Sequence, residues 1–434
     1  MIYWSMRKGV FLFFLLPIAM IFCEKQIITL TTDYISLSSN YVGVTEAEFH
    51  LQVYSDQVYD DLQLFRDEQL VLSTQLSITD TFLFDTTLLP SQTYTYRALL
   101  INNDRQILKS PEVTITTMDT TNHDFQWEVY TIESPYGSGV LYDVAIIDEY
   151  NIWAVGEIYA DSSQPSERYN AVYWNGQQWE LKRIPYVYDG QSFYHPMNFA
   201  FSFENGEVWF GGNGIVKWNG QQYSNVEVPL SAWGYVAINK VWGSSNSDVY
   251  IVGNEGHIAH YNGSSWQKRD SGTDLPIQDI WGATDPLSEE NIILCPASEK
   301  YDLSEKIIIR IDPLSTDISF IEWPFQNRRI HSIWFKNKHE TWICGGGIYR
   351  NKRGVWKEFT EVPLIFTNRI RGADVNDLFV VGDFGIVAHY NGINWKIFPE
   401  VNVALFESLD YKVNIMVAVG YRNGKGYIVK MQRN

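Results

Sequence analysis

Residues 238–272, INKVWGSSNSDVYIVGNEGHIAHYNGSSWQKRDSG, carry a rhythm of apolar and polar positions that returns through most of the chain. Four apolar runs, at 239–242, 248–252, 257–261 and 265–269, are separated by turn-forming residues at 243–246, 253–256 and Asn262-Gly263. The run Val249-Tyr250-Ile251-Val252 does not alternate, which predicts a strand covered on both faces. Asn-Gly predicts a two-residue type I′ hairpin turn, in which both central residues take positive φ. An antiparallel four-stranded meander, covered on both faces and repeated, is a propeller blade.

The pattern recurs. Asn-Gly returns at Asn175, Asn219, Asn262 and Asn391, each followed three or four residues later by an aromatic: Trp179, Tyr223, Trp266 and Trp395. Glycine-rich links stand at 211–214, 253–256, 345–347 and 382–385, and His-Tyr-Asn-Gly occurs at His260 and His389. Seven units fit between 124 and 434, beginning near 140, 198, 238, 277, 330, 368 and 405; the fourth is the most divergent, which leaves six or eight as alternatives. The seventh lacks its last strand. An orphan copy of that strand, 127–132, precedes the first unit and is expected to complete the last blade, which would remove an open sheet edge.

Residues 241–253, 259–266 and 280–282 resemble the repeats of secreted bacterial propellers with IWGSSxxDVYAVG-like and hYNGxxW-like units. The repeat is also distantly similar to Asp-box repeats of sialidases and to photosystem II assembly-factor propellers, although Ser-x-Asp-x-Gly-x-Thr-Trp is nowhere intact. Such a resemblance implies a fold with many uses, so function has to come from a site.

Residues 26–118 have a different rhythm, with strand-like runs at 27–31, 47–54, 61–66, 70–73, 79–84, 93–101 and 112–117. Residues 88–97, LLPSQTYTYR, resemble the fibronectin type III signature, which implies a sandwich whose Tyr94 hydroxyl folds back onto the preceding corner. The early Trp of that family is missing, and Phe49 or Leu51 is expected to fill the core. The fold class expected is thus all-β: a fibronectin type III-like sandwich at 26–118, a polar link, and a β-propeller of seven blades at 124–434.

Residues 1–23 add a compartment. Arg7-Lys8 followed by the apolar run 10–22 reads as a secretory signal, too short to span a bilayer comfortably. Cys23 is a candidate for lipidation, but Phe22 stands where a lipoprotein signal has a small residue; removal near Cys23 and an uncleaved anchor stay open. Each alternative exports the chain, to the cell envelope or beyond, with membrane attachment only through the N-terminus. Cys295 and Cys344 are either a pair or two buried thiols. A formal net charge of −18 argues against nucleic acid, and an aromatic content of 15% suits surfaces for sugars or peptides.

No nucleophile elbow, zincin helix, paired CxxC, P-loop or dinucleotide fingerprint occurs, and no cofactor or metal is expected. Asp248 and Asp377, each just before a second strand, read as turn residues, and His260 and His389 as repeat framework. The links between units are irregular and aromatic, and irregular loops on a rigid scaffold are where binding usually sits. Tyr186, Tyr188, Tyr194, His195, Trp233 and Tyr235, with Arg328 and Arg329, are the candidate binding residues; no residue is singled out as catalytic. The expected function is an exported, non-enzymatic binding or scaffold protein that takes a protein or neutral glycan on one propeller face. The alternative is a polysaccharide-active enzyme, glycosidase or lyase, with carboxylates gathered at the propeller mouth.

Overall fold

The computed structural model describes residues 33–434, apart from 56, 76–78, 133–136, 160–167, 285–290, 300–304, 316 and 413. Cys23, the leader and the expected strand at 27–31 lie outside the described residues. Among the described residues, seven four-stranded antiparallel sheets follow one another along the chain. Their first strands are Ser138–Asp148, Phe199–Ser202, Ile238–Ser245, Trp281–Thr284, Ile330–Asn337, Thr367–Asp374 and Leu405–Lys412. Each first strand touches that of the next sheet, and the last returns to the first, so the chain is wound into a β-propeller. The second strands are the most deeply covered, as non-alternating sequence requires: Asp248–Gly253 and Asp377–Gly382 hide nearly every residue between neighbouring sheets.

Sheet seven is completed from the other end of the chain. Phe125–Ile132 pairs antiparallel with Lys425–Arg433 over eight residues, from Phe125 opposite Arg433 to Ile132 opposite Gly426. The fourth sheet is irregular where the sequence predicted a strand at 277–281. Only an isolated bridge, Ile277 to Ala297, precedes Trp281–Thr284. Pro296 stands opposite; it accepts from Gln278 N at 3.0 Å but has no N–H to return, so the ladder lapses there.

The Asn-Gly turns differ from the expected type. Gly176, Gly220, Gly263 and Gly392 have φ between 87° and 99°, but the asparagines are not among the positive-φ residues. Each asparagine instead closes the turn and accepts two amides; Asn262 Oδ1 takes Ser264 N at 3.1 Å and Ser265 N at 3.0 Å. Glycine at the first central position is the type II′ arrangement, and the side-chain bonds explain the preceding Asn. Asp248 and Asp377 also do more than hold turns. They meet the histidines of the neighbouring strand, Asp248 Oδ1 to His260 Nε2 at 2.7 Å and Asp377 Oδ1 to His389 Nε2 at 2.8 Å. Cys295 and Cys344 are two buried free thiols, and burial pushes the Cys344 thiol up to about 12.

The N-terminal residues form two further sheets. Tyr34–Val42, Ala47–Tyr54 and Asp80–Asp85 make one; the other runs Gln69–Thr74, Asp61–Arg66, Thr93–Asn102, Arg105–Lys109, with Val113–Thr116 also paired to Thr93–Asn102. Phe49, Leu51, Leu64 and Tyr96, all fully buried, lie in their common core. The Tyr94 hydroxyl accepts from Leu89 N at 3.0 Å, the corner that residues 88–97 predict.

These sheets rest on one face of the propeller. Lys352 bonds Glu46 at 2.7 Å and Arg353 bonds Glu48 at 2.9 Å, while Tyr41 stacks on His339 and Arg353 lies over Phe84. The link adds Thr121 Oγ1 to Asn376 O at 2.6 Å. All the propeller residues named here lie at or beside turns joining first to second or third to fourth strands of sheets five and six. The links between sheets, and the turns joining second to third strands, lie on the opposite face.

Candidate binding face

The links on that opposite face carry every predicted binding residue, and the structure sorts them. Between sheets one and two the chain builds a hairpin, Tyr186–Tyr188 with Gln191–Phe193, that was expected only as irregular loop. Asp189 and Gly190 make its turn, with φ of 48° and 72°, as a type I′ turn requires. Buried Asn170 pins both feet of the insert: its amide donates to Ile184 O and His195 O, both at 2.9 Å, and its oxygen accepts from Ile184 N at 2.8 Å. Asn225, in the outer strand Tyr223–Val226, bonds both N and O of Val187 and fixes the hairpin's inner edge.

With its backbone held, the hairpin divides its side chains. The Tyr186 ring packs on the glycine-rich link of sheet two; a Cβ on Gly214 would stand 2.7 Å from Tyr186 Cε2. Tyr188 points away and is 69% exposed. Tyr194 is half-buried beside the Arg183 guanidinium, and His195 stacks parallel to Phe193 with centroids 5.9 Å apart. Between sheets two and three, Trp233 is buried, contrary to its expected role at the surface. Its Nε1 donates to Val236 O at 2.7 Å, and its ring covers Gly253, where a Cβ would come within 2.8 Å of Cζ2. Tyr235, two residues on, is 92% exposed. Tyr186 and Trp233 therefore explain two of the repeated glycines, while Tyr188 and Tyr235 offer surface.

Arg328 and Arg329 lie farther along, between sheets four and five. Arg328 Nε is 3.2 Å from Glu358 Oε1, and Arg329 lies over the Phe366 ring at 4.5 Å, so the two are not brought to the hairpin. Beside them is a groove that the sequence reading missed, about 620 Å³ in volume, lined by Leu275, Lys306, Phe320, Trp323, Gln326 and Asn327. Its residues come from the links on either side of sheet four and from that sheet's third and fourth strands, and only Trp323, two residues before Phe325 in a Pro-containing link, offered a signal. The hairpin, Tyr235 and the groove thus occupy successive links and form an arc on one face.

The propeller axis was the alternative place for chemistry. In six of the first strands, or just before the strand in sheet four, one polar position joins a buried network at the axis: Asp143, Lys240, Asp279, Ser332, Arg369 and Ser408. A register shift precedes it in sheets one, three, five, six and seven, the device that re-aims a side chain. Lys240 bonds Asp143 at 2.6 Å; Arg369 and Arg371 reach Asp279 at 2.6 and 2.9 Å; Ser332 donates to Asp279 at 2.6 Å; Arg369 also reaches Ser408 at 3.1 Å. Burial works against the Asp279 charge, but Arg369 and Arg371 hold its carboxyl well below the usual range. Burial and the Arg369 charge lower the Lys240 ammonium to about 8, against the pull of Asp143. Asp143 and Asp279 are thus committed to cations, and no acid–base pair is left between them. Arg369 and Arg371 are committed in turn.

No family model matches the chain, and no curated protein matches it. Solved structures do. One of "YCF48 bound to D1 peptide" is 16% identical with a TM-score of 0.53, covering 73% of this chain and 99% of that one. One of "YCF48 from Cyanidioschyzon merolae" is 15% identical with a TM-score of 0.52, covering 70% and 98%. At that identity the likeness concerns the fold alone, and the fold this chain shares with both is the β-propeller.

Proposed function

We propose that this is an exported, non-enzymatic binding protein that lays an extended polypeptide along the arc of its open propeller face. In this reading residues 124–434 are a seven-bladed propeller and 26–118 a fibronectin type III-like spacer, a role that the two N-terminal sheets and the Tyr94 corner support. The leader at 1–23 exports the chain, and Cys23 marks the point of lipid attachment or cleavage. Mass spectrometry of the envelope fraction tests this: a lipid-modified Cys23 or a new terminus nearby agrees, and intact chain in the cytosol does not.

The observation that carries the reading is positional. The N-terminal sheets sit on one face at sheets five and six, while Tyr188, Tyr235 and the Phe320–Trp323 groove lie on the other, on consecutive links. Exposed Tyr and Phe give large apolar contact area at low entropic cost, which suits an extended chain. That a propeller of the same fold was solved with a peptide supports a polypeptide over a neutral glycan. The test is binding to arrays of unstructured peptides and of neutral oligosaccharides, with Tyr188→Ala and Tyr235→Ala as variants. Anchors of this kind contribute about 2 kcal/mol each, so peptide affinity should fall about 30-fold in either single variant. Binding to oligosaccharides alone would replace the peptide with a glycan, and unchanged peptide binding would move the site elsewhere.

A further inference from the structure

The link between the N-terminal sheets and the closing strand is fastened by two imidazoles. His123 Nδ1 lies 2.7 Å from His389 Nδ1, and His123 Nε2 lies 3.0 Å from Asn394 Oδ1. His389 is fully buried, and its Nε2 faces Asp377 Oδ1 at 2.8 Å. Asp377 also accepts from the Tyr411 hydroxyl at 2.8 Å and from the Arg433 guanidinium. Sheet three holds the same motif without the link: His260 Nε2 meets Asp248, while its Nδ1 lies 3.3 Å from Arg269 of its own sheet. In sheet six that second nitrogen is given over to a residue from outside the repeat.

Two ring nitrogens at 2.7 Å share one hydrogen, not two. His389 Nε2–H donates to Asp377, one hydrogen lies between the Nδ1 atoms, and His123 Nε2 donates or accepts according to the orientation of the Asn394 amide. The pair therefore holds together when neutral or with one positive charge. A further hydrogen sets N–H against N–H, and the bond is lost.

The charged and titratable groups around the pair come from every neighbouring element. Asp124 of the link is tied to Asn434 at 2.8 Å. Lys396, on the outer strand of sheet six, donates to His123 O at 3.3 Å. Asp377 comes from the second strand of that sheet, and Tyr411 and Arg433 come from sheet seven. Burial lowers the basicity of both imidazoles, Arg433 lowers both further, Lys396 lowers that of His123, and Asp377 offsets part of the effect.

We propose that His123 and His389 form an acid-sensitive latch, in which a second positive charge on the pair releases the link 119–124 from the propeller. The release would free the tether that sets how the N-terminal sheets sit on sheets five and six. The ion pairs of Glu46 and Glu48 are common to wild type and variants, so comparing the two isolates the imidazoles.

The test is hydrogen exchange of the full chain between about pH 7.5 and about pH 4.5, corrected for the intrinsic rate, for wild type and His123→Gln. A glutamine amide keeps one donor toward His389 and never takes up charge. Wild-type protection in 119–124 should fall about tenfold or more on acidification, while His123→Gln stays within about threefold of its neutral value. Equal loss in both chains, or loss in neither, overturns the latch. Should His123→Gln release the link already at neutral pH, C2–hydrogen exchange of the wild-type histidines decides. Release that coincides with titration of His123 or His389 upholds the proposal, and release while both stay neutral overturns it.

Discussion

Ring closure rests on one strand, and its weight falls on Phe125 rather than on the tryptophan that marks the repeat. Phe125 is buried, meets Phe379 and His389 edge-on at 5.0 Å each, and lies under the Arg433 guanidinium at 4.9 Å. Trp127 is 38% exposed and meets Phe398 only at 6.3 Å. Truncating a buried Phe costs about 3–5 kcal/mol, from lost transfer energy and the cavity left behind. Trp127 keeps part of its surface in water and leaves little cavity, so about 1–2 kcal/mol is expected from its burial alone. The contrast follows from depth: both residues lie on the outermost strand, but Phe125 is buried in the seam between sheets six and seven, whereas Trp127 stays partly in water. Urea unfolding of the full chain, followed by far-UV circular dichroism, compares Phe125→Ala with Trp127→Ala against wild type. Phe125→Ala should move the midpoint at least twice as far, with slopes unchanged. A larger effect of Trp127→Ala would refute this account, as would indifference to both.

Asp279→Asn leaves Arg369 and Arg371 buried with their charges uncompensated, so a loss of about 3–5 kcal/mol is expected in the same unfolding assay. His389, with its basicity lowered to about 4 by burial, should make stability depend on pH. The unfolded chain takes up this proton near pH 6.5 and the folded chain only near pH 4, so the contribution is complete above about 6.5 and lost as pH falls through about 4. It amounts to about 3 kcal/mol, and His389→Gln should flatten that part of the stability–pH curve. Trp233→Ala should cost about 3–5 kcal/mol in melts, as a buried indole does, whereas Tyr188→Ala should change stability by less than about 0.5 kcal/mol and alter only binding. Asn170→Ala should free both feet of the hairpin, read as faster hydrogen exchange at residues 184–195 with the sheets still protected.

The repeat was legible because each unit must bury both faces of its second strand and turn at fixed places. Runs such as Val249–Val252, and Asn-Gly at Asn262 and Asn391, therefore carry the pattern openly. Strands at the margin of the pattern were not legible. Tyr34–Val42 is rich in Ser and Asn, and only Ile35 and Leu37 in it are deeply buried. Arg105–Lys109 follows an Asn103-Asp104 turn whose positive φ at both residues was not anticipated. The hairpin at 186–193 had a signal in Asp189-Gly190 that the aromatic content of the loop overshadowed. At the binding face the links were readable but side-chain direction was not. Tyr186 and Trp233 turn inward onto glycines, and Tyr188 and Tyr235, close by in sequence, turn out. The axial residues were hidden for a related reason: one charge in an apolar stretch, as at Lys240 or Asp279, says nothing of its partner until the ring brings distant units together.

That ring of axial residues also bears on how such a chain can change over generations. Repeat proteins grow and shrink by copying or losing whole units, and similar outer surfaces make the exchange cheap. Here the axial positions read Asp143, Lys240, Asp279, Ser332, Arg369, Ser408, two acids against two bases, each with its counterpart in a different unit. Copying the third or fourth unit would add a buried charge with no counterpart, and swapping the first with the third would exchange an acid for a base beside Ser408. The units are interchangeable in outline but not at the axis, so the axis works as a key that fixes both their number and their order.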